Sequence, residues 1–468
     1  MMRRSLLLIT FAVGLALSAC QKPPPPPNLV LIVIDTARAD HFSCYGYPRL
    51  TTPRLDRFAH DAIRFEDASS VSSWTLPAHA SLFTGLFPVT HRATQEHLVL
   101  DKRFTTLAEL LHARGFATAG FSGNPWVSKR TNLARGFEVM REMYGPPGAK
   151  EIETHPHATN AAIFEWLRQR DPQRPFFLFV NYIEPHFPYE APAAYEESFV
   201  APATSTEERQ AAAVSMVDWY LHPQPLPPRV AALRRALYDA ELAYADAIVA
   251  ELLAGLRNME LYDNSLIVVT SDHGENLGEH GHLNHVFSLY ESTLRVPLIV
   301  RRPGGRDSGT VRPEPVQLPD VFMTLTAAAG ITPRDARLAG RDLFGAVAAV
   351  ERPLLAEYYY PAQALSVFSP EQRSSSGLDR FRRRLRSIRV GSRKLIWGSD
   401  GRHELYDLAT DPLETKNLFG AADSGADRLQ AQLAELLQRY QSPEPEAATP
   451  PPADAATQER LRALGYAR

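Results

Sequence analysis

The chain predicts an α/β fold: a mostly parallel central sheet flanked by helices, with a smaller C-terminal α+β subdomain. Three features carry that expectation. Apolar, β-branched runs of strand length recur, as strands buried on both faces require. Helix-period segments lie between them, the alternation expected of parallel strands joined by crossover helices. Beyond about Arg352 the texture changes to short strands broken by turns.

Taken in order, NLVLIVID (Asn28 to Asp35) is the first buried strand. TTPRLDRFAHDA reads as a helix with Pro53 near its start, where a missing N–H costs nothing. SSWTLPAHASLFTG (Ser72 to Gly85) reads as a turn feeding a helix, with Thr75 at or near its N-cap and Pro77 in its first turn. TTLAELLHARG is a helix stopped by Gly115. PFFLFVNY, NSLIVVTSD and PLIVRRPGG are further strands, with helices near Ala158 to Arg170 and Val230 to Arg257. In the last part, RPLLAEYYY, LRSIRVGSRKLIWG and HELYDLATDP read as strands, and Asp427 to Arg439 as a polar helix. SPEPEAATPPPADAA is a low-complexity, mobile linker, and TQERLRALGY a short amphipathic helix.

The N-terminus points outside the cytoplasm. Arg3 and Arg4 precede SLLLITFAVGLALSA, the layout of a secretory signal. LSAC then looks like a bacterial lipobox, with Cys20 the residue that would be lipidated. The expectation is an exported lipoprotein, anchored to a membrane and facing the periplasm or cell surface. The domain boundaries follow: signal 1–20, Pro-rich tether 21–27, α/β domain 28–350, α+β subdomain 351–441, and tail 442–468. The five tether prolines span roughly 15 Å at about 3 Å per residue. With Cys20 lipidated, Cys44 is the only thiol left and no intrachain disulfide can form. A net charge of −3 gives nucleic acid no electrostatic footprint. Oligomeric state is not legible.

In α/β sheets functional groups gather beyond the carboxyl ends of strands. Asp35 ends the first strand, and by itself reads as a helix cap. VVTSDHGENLGEHGHLNH shifts that balance. Asp272 and His273 follow a second strand, with His280, His282 and His285 close behind. This concentration suits a metal or phosphate site better than a solvated loop. A mixed carboxylate and imidazole set favours manganese, zinc or iron over calcium or magnesium, which take oxygen ligands. Thr75 opens a helix whose free N–H groups suit an anion. Its hydroxyl is a weak nucleophile unless a metal lowers its pKa. His186, just past the third strand, reads as a turn residue or a contact for substrate oxygens.

Together these motifs resemble the sulfatase family of the alkaline-phosphatase-like superfamily. NLVLIVIDTARADHFSCYGYPRLTTPRLDRFAHDAIRFEDA is similar to its N-terminal signature, SDHGENLGEHG and SLYESTLRVPLIV to its later motifs, and HELYDLATDPLETKNL to its C-terminal one. The resemblance implies metal ligation by Asp35, Asp272 and His273, and contacts to the ester oxygens from His186 and His285. It also exposes departures. The family's formylglycine frame begins with Cys or Ser and ends in Arg; here it reads TLPAH, so no formylglycine is expected and His79 replaces the Arg. Asp35 is followed by Thr36 where the family has a second Asp, and His273 stands where the family has Asn. The family's Lys-x-His pair is absent from GFSGNPW, where Asn124 takes part of its role.

The expectation is therefore a metal-dependent ester hydrolase in which Thr75 is both metal ligand and nucleophile, phosphate esters being favoured over sulfate esters. His79, His186 and His285 orient oxygens or protonate the leaving group, and Asn124 and His282 contact substrate. Rival readings are sulfate ester hydrolysis without formylglycine, transfer of a phospho-headgroup, and an inactive surface-binding lipoprotein. The substrate would be a small molecule, or an ester on a glycan or lipid headgroup. RSSSGLDRFRRRLRS is a basic strip that either is simply solvated or attracts an anion.

Overall fold

The computed structural model describes residues 26–144, 156–345, 351–422, 424–443 and 450–467. Cys20 and nearly all of the Pro-rich tether lie outside them. Among the described residues no helix is long and apolar enough to cross a membrane.

The central sheet is built from β1 (Asn28–Ile34), β2 (Ile63–Phe65), β3 (Ala117–Ser122), β4 (Val139–Glu142), β5 (Phe176–Tyr182), β6 (Ser265–Thr270), β7 (Leu298–Arg301) and β8 (Val311–Arg312). Their spatial order is β8-β2-β7-β6-β1-β5-β3-β4. Strand β7 runs antiparallel to both its neighbours, and the other pairings are parallel. The continuous apolar run of β1 splits between two faces, as period-two alternation demands. Leu29, Leu31 and Val33 join one core, and Val30, Ile32 and Ile34 the other. Each buried aliphatic side chain contributes about 1.5–3 kcal/mol, so β1 anchors both layers.

Helices α1 (Pro53–His60), α2 (Thr75–Thr84), α3 (Leu107–Ala113), α4 (Pro156–Gln169), α5 (Pro228–Asn258) and α6 (Leu318–Ala328) flank the sheet. The first face carries α2, α3 and α6, and the second α1, α4 and α5. The start of α1 is held by the buried Asp246 carboxylate, which accepts from the N–H groups of Arg54 and Leu55. Helix α3 has a full capping box, Thr106 with Glu109. The second, four-stranded sheet is antiparallel: β9 (Leu354–Tyr358), β10 (Leu385–Val390), β11 (Arg393–Gly398) and β12 (Glu404–Asp407). Helix α7 (Ala426–Tyr440) packs on it. Helix α8 (Ala455–Ala463) returns to the main domain and buries Leu461, Leu464 and Tyr466 in the first core.

One strand was not expected. Strand β3, ATAGFS, carries no dense aliphatic run: it is fully buried among larger neighbours, and its small side chains hide it from a hydropathy reading. Residues 444–449 of the linker expected to be mobile lie outside the described residues, and the short helix beyond it docks through those three side chains.

Candidate active site

Strands β1 and β6 are parallel neighbours, so their carboxyl ends lie side by side. Asp35 follows the one and Asp272 and His273 the other. A ligand atom of each can be chosen so that all three lie within 4.8 Å of one another, and all three residues are buried. The loops holding them are tightly constrained. Thr36 sits at a φ of 56°, an uncommon conformation for a β-branched residue. The Tyr238 hydroxyl donates to its carbonyl, and its own N–H donates to Asp272. Gly274 admits no side chain, since a Cβ there would lie 2.2 Å from the Ser292 carbonyl oxygen.

The hydrogen-bond inventory fits a cation. Asp35 Oδ2 accepts from Asn124 at 2.8 Å and from Asn181 at 3.3 Å, while its Oδ1 is buried with no partner. Asp272 Oδ1 accepts from the N–H groups of His273 and Thr36, while its Oδ2 is likewise unpartnered. His273 Nδ1 lies 3.0 Å from the Gly274 carbonyl, to which it donates, leaving Nε2 with a free lone pair. Each group thus spends one atom on the protein and keeps one for an ion. Burial, then the neighbouring Asp272, raises Asp35 well above the ordinary carboxylate value. Burial pushes Asp272 up to about 7 and lowers His273. Two buried carboxylates side by side are costly without positive charge between them.

Thr75 is the first residue of α2, preceded by Trp74 in extended conformation. Its hydroxyl does not cap the helix. Thr75 Oγ1 lies 3.3 Å from His273 Nε2 and accepts from Asn124 Nδ2 at 3.3 Å. The helix start therefore aims the hydroxyl at the carboxylate and imidazole cluster. Asn124 touches both Asp35 and Thr75.

The histidines separate into three environments. His79 lies beneath Thr75: its Nδ1 donates to the Thr75 carbonyl at 3.0 Å and lies 3.5 Å from Asp272 Oδ2. Its ring packs edge-on to Phe83 and Phe179. Burial lowers it to about 3, so it is neutral and braces the first turn of α2. Its Nε2 is buried without a partner. His186 and His285 stand together at the site, ring centroids 5.0 Å apart, and His285 packs on His273 at 4.5 Å. His186 Nδ1 donates to the Phe187 carbonyl, and His285 Nδ1 lies 3.2 Å from the Glu275 carboxylate. Both Nε2 atoms meet the Tyr466 hydroxyl, at 3.0 and 2.9 Å. His282 is elsewhere. It contacts the Tyr220 hydroxyl at 3.3 Å and lines a cavity of about 640 Å³ with Arg235, Arg380 and Arg383. None of its contacts reaches Thr75 or the metal ligands, which corrects its assignment to the substrate site. The basic strip supplies two of those arginines.

Asn181, Glu275, Tyr238 and Tyr466 were missed. Asn181 had a signal, a polar residue near the end of a buried strand. Tyr466 had none, being separated from every other site residue by a linker of low complexity.

Comparisons with known proteins bear on this geometry. The Sulfatase family profile matches residues 27–331, and that of N-sulphoglucosamine sulphohydrolase, C-terminal, matches residues 278–443. An ulvan-active sulfatase of Formosa agariphila is 26% identical over 351 residues, covering 69% of this chain and 65% of that protein. The multifunctional alkaline phosphatase superfamily protein PehA of Trinickia caryophylli is 27% identical, covering 84% of this chain and 91% of its own. The crystal structure of a phosphonate monoester hydrolase of Agrobacterium radiobacter superposes with a TM-score of 0.71 at 23% identity, covering 88% and 96% of the two chains.

Proposed function

This chain belongs to the sulfatase family, as an ester hydrolase of the alkaline-phosphatase-like superfamily, and we propose that Thr75 is its nucleophile and phosphate esters its favoured substrates. The observation that carries this reading is the Thr75 hydroxyl, 3.3 Å from His273 Nε2 in the frame where the family carries formylglycine.

Asp35, Asp272 and His273 would hold a divalent cation, with manganese, zinc or iron suiting the imidazole. When bound, it supplies Lewis-acid charge that favours the Thr75 alkoxide and the oxygens of the transferred group. Asn124 donates to Thr75 Oγ1 and stabilises charge developing there. Thr75 attacks phosphorus, and the P–O bond to the alcohol breaks as the new one forms. His186 and His285 have their Nδ1 protons committed to Phe187 and Glu275, so each presents an Nε2 lone pair. Burial lowers His186 to about 3, and lowers His285 as well. At neutral pH they therefore accept protons, which suits them to take the proton released as Thr75 attacks, to hand it to the departing alcohol, and to orient the water that cleaves phosphothreonine. Export and a lipid anchor at Cys20 belong to the same proposal and are checked by mass spectrometry of the N-terminal peptide from membranes.

Sulfate ester hydrolysis without formylglycine is a second reading, favoured by the sulfatase named among the relatives. One experiment separates the two. The purified protein is loaded in turn with Mn²⁺, Zn²⁺ and Fe²⁺ and assayed on aryl phosphate mono- and diesters and on aryl sulfates. The expected result is a higher kcat/KM for a phosphate ester, lost on the order of 10³-fold or more in Thr75→Ala. Faster sulfate turnover would establish the second reading. Full activity in Thr75→Ala would remove the nucleophile assignment.

A further inference from the structure

The catalytic cluster is closed. Asp35, Thr75, Asp272 and His273 have no solvent exposure, and His285 is 2% exposed. The space left beside His285 and Tyr466 is about 10 Å³, lined also by Trp74 and Leu464. That holds at most a single water and excludes a tetrahedral ester. What fills the site is the chain's own C-terminus. The Tyr466 hydroxyl touches Nε2 of His186 and of His285, and it interacts with the Thr75 side chain. Its ring stands edge-on to Trp126 at 5.9 Å. One hydroxyl on a carbon framework, between the nucleophile and two imidazole acceptors, has the surroundings of the alcohol that an ester releases.

We propose that the segment Ala455–Ala467 is an internal competitor of substrate: Tyr466 occupies the position of the leaving-group oxygen, and the segment withdraws before an ester enters.

The attachment of the segment suits withdrawal. It pairs with no strand and follows the run Pro450 to Pro452. Its docking includes Leu461, Leu464 and Tyr466 in the first core, the Gln363 side chain donating to the Tyr466 carbonyl at 3.3 Å, and a hydrogen bond between Thr457 and Tyr144. Burying three such apolar side chains, at about 1.5–3 kcal/mol each, offsets only part of the cost of ordering thirteen residues, at about 1–2 kcal/mol each. The hydroxyl is also an incomplete partner. With both Nδ1 protons committed elsewhere, both Nε2 atoms are acceptors, and one phenolic proton satisfies only one of them. Arg460 adds a cation whose field reaches Glu184 and Asp35, so the docked tail brings positive charge to the acidic floor.

The competition with substrate rests on the ester-hydrolase reading; the closure does not, and the test separates them. Full-length protein, Tyr466→Ala and Tyr466→Phe are compared by hydrogen exchange of the peptides covering residues 73–76 and 271–275, and by kcat/KM on an aryl phosphate. Tyr466→Phe keeps the ring against Trp126 and serves if the alanine variant folds poorly. The expected result is at least about tenfold faster exchange in Tyr466→Ala, with a smaller rise in Tyr466→Phe. A rise in kcat/KM of similar size accompanies it, and the peptide TQERLRALGYAR reverses both changes when added in trans. Unchanged exchange in both variants overturns the closure. Faster exchange with a lower kcat/KM overturns the competition, because Tyr466 would then serve the chemistry. Faster exchange with no ester turned over by any variant supports the closure and removes the ester reading instead.

Discussion

Asp35 and Asp272 hang from two adjacent parallel strands buried on both faces, whereas Tyr466 follows a nine-residue helix that docks through a few apolar side chains. Both regions converge on Thr75, one as floor and one as cover. The floor is fixed by a sheet ladder, by Asn124 and Asn181, and by a strained Thr36 that its neighbours over-determine. The cover is held by Leu461, Leu464 and Tyr466 in the core, by the Gln363 bond to its backbone, and by the Tyr466 hydroxyl at its tip. Rigid placement suits groups that must face a cation within tenths of an ångström. A cover has to be displaceable, and a short helix that joins no sheet ladder matches that requirement.

The largest expected effect tests what the floor is for. Asp35→Asn should weaken Mn²⁺ or Zn²⁺ binding on the order of a thousandfold, beyond the roughly 10–100-fold cost of losing a ligand's hydrogen-bond partner. It should also raise the metal-free melting temperature, because it removes one of two buried carboxylates that disfavour each other's charge. Calorimetry with and without metal reads both. A metal-free protein that is destabilised by the change would mean that the paired carboxylates carry no such cost.

The next effect compares the packing of the two regions directly. Leu31→Ala, fully buried in β1, should cost about 3 kcal/mol of unfolding free energy. Leu464→Ala should cost about 1 kcal/mol globally while loosening the tail, visible as rapid exchange confined to residues 455–467. Equal losses, or global exchange in both variants, would mean that floor and cover form one cooperative unit.

pH separates the regions in another way. The Asp272 value of about 7 in the folded protein exceeds its ordinary 3.8. In the metal-free protein its contribution to stability is therefore complete below pH 3.8 and lost as pH rises through about 7. A cation requires the ionised form, so binding displaces that proton. Metal affinity should climb by about tenfold per pH unit for each proton displaced, between roughly pH 5 and 7, and then level. Titration at several pH values with Mn²⁺ checks it; an affinity flat across that range would place the cation away from Asp272.

The smallest effect sharpens the border of the site. His282→Gln should change kcat/KM on a small aryl ester by less than about threefold, because His282 lines the arginine-bearing cavity and not the catalytic cluster. A loss of tenfold or more would return it to the site.

What the sequence determined by itself was the sheet and the floor. Continuous β-branched runs leave a strand few places except the middle of a parallel sheet, and Asp35 and Asp272 follow directly from where two of those runs end. The antiparallel subdomain was legible for the same reason, since its short strands are separated by turn residues. Thr75 was legible as the occupant of the nucleophile frame. Its orientation, first in the helix with the hydroxyl turned from the cap toward His273, was decided by packing. Tertiary structure also decided the fate of the histidines, which sequence proximity had grouped. The left-handed conformation of Asn284 between them, with φ at 59°, lets His282 and His285 face different surroundings only three residues apart. Strand β3 stayed hidden because small side chains carry little hydropathy, though burial makes them as necessary as large ones. Tyr466 could not be found from pattern at all. Its role depends on a contact 391 positions from Thr75, and no local periodicity records which distant surface a short helix will meet.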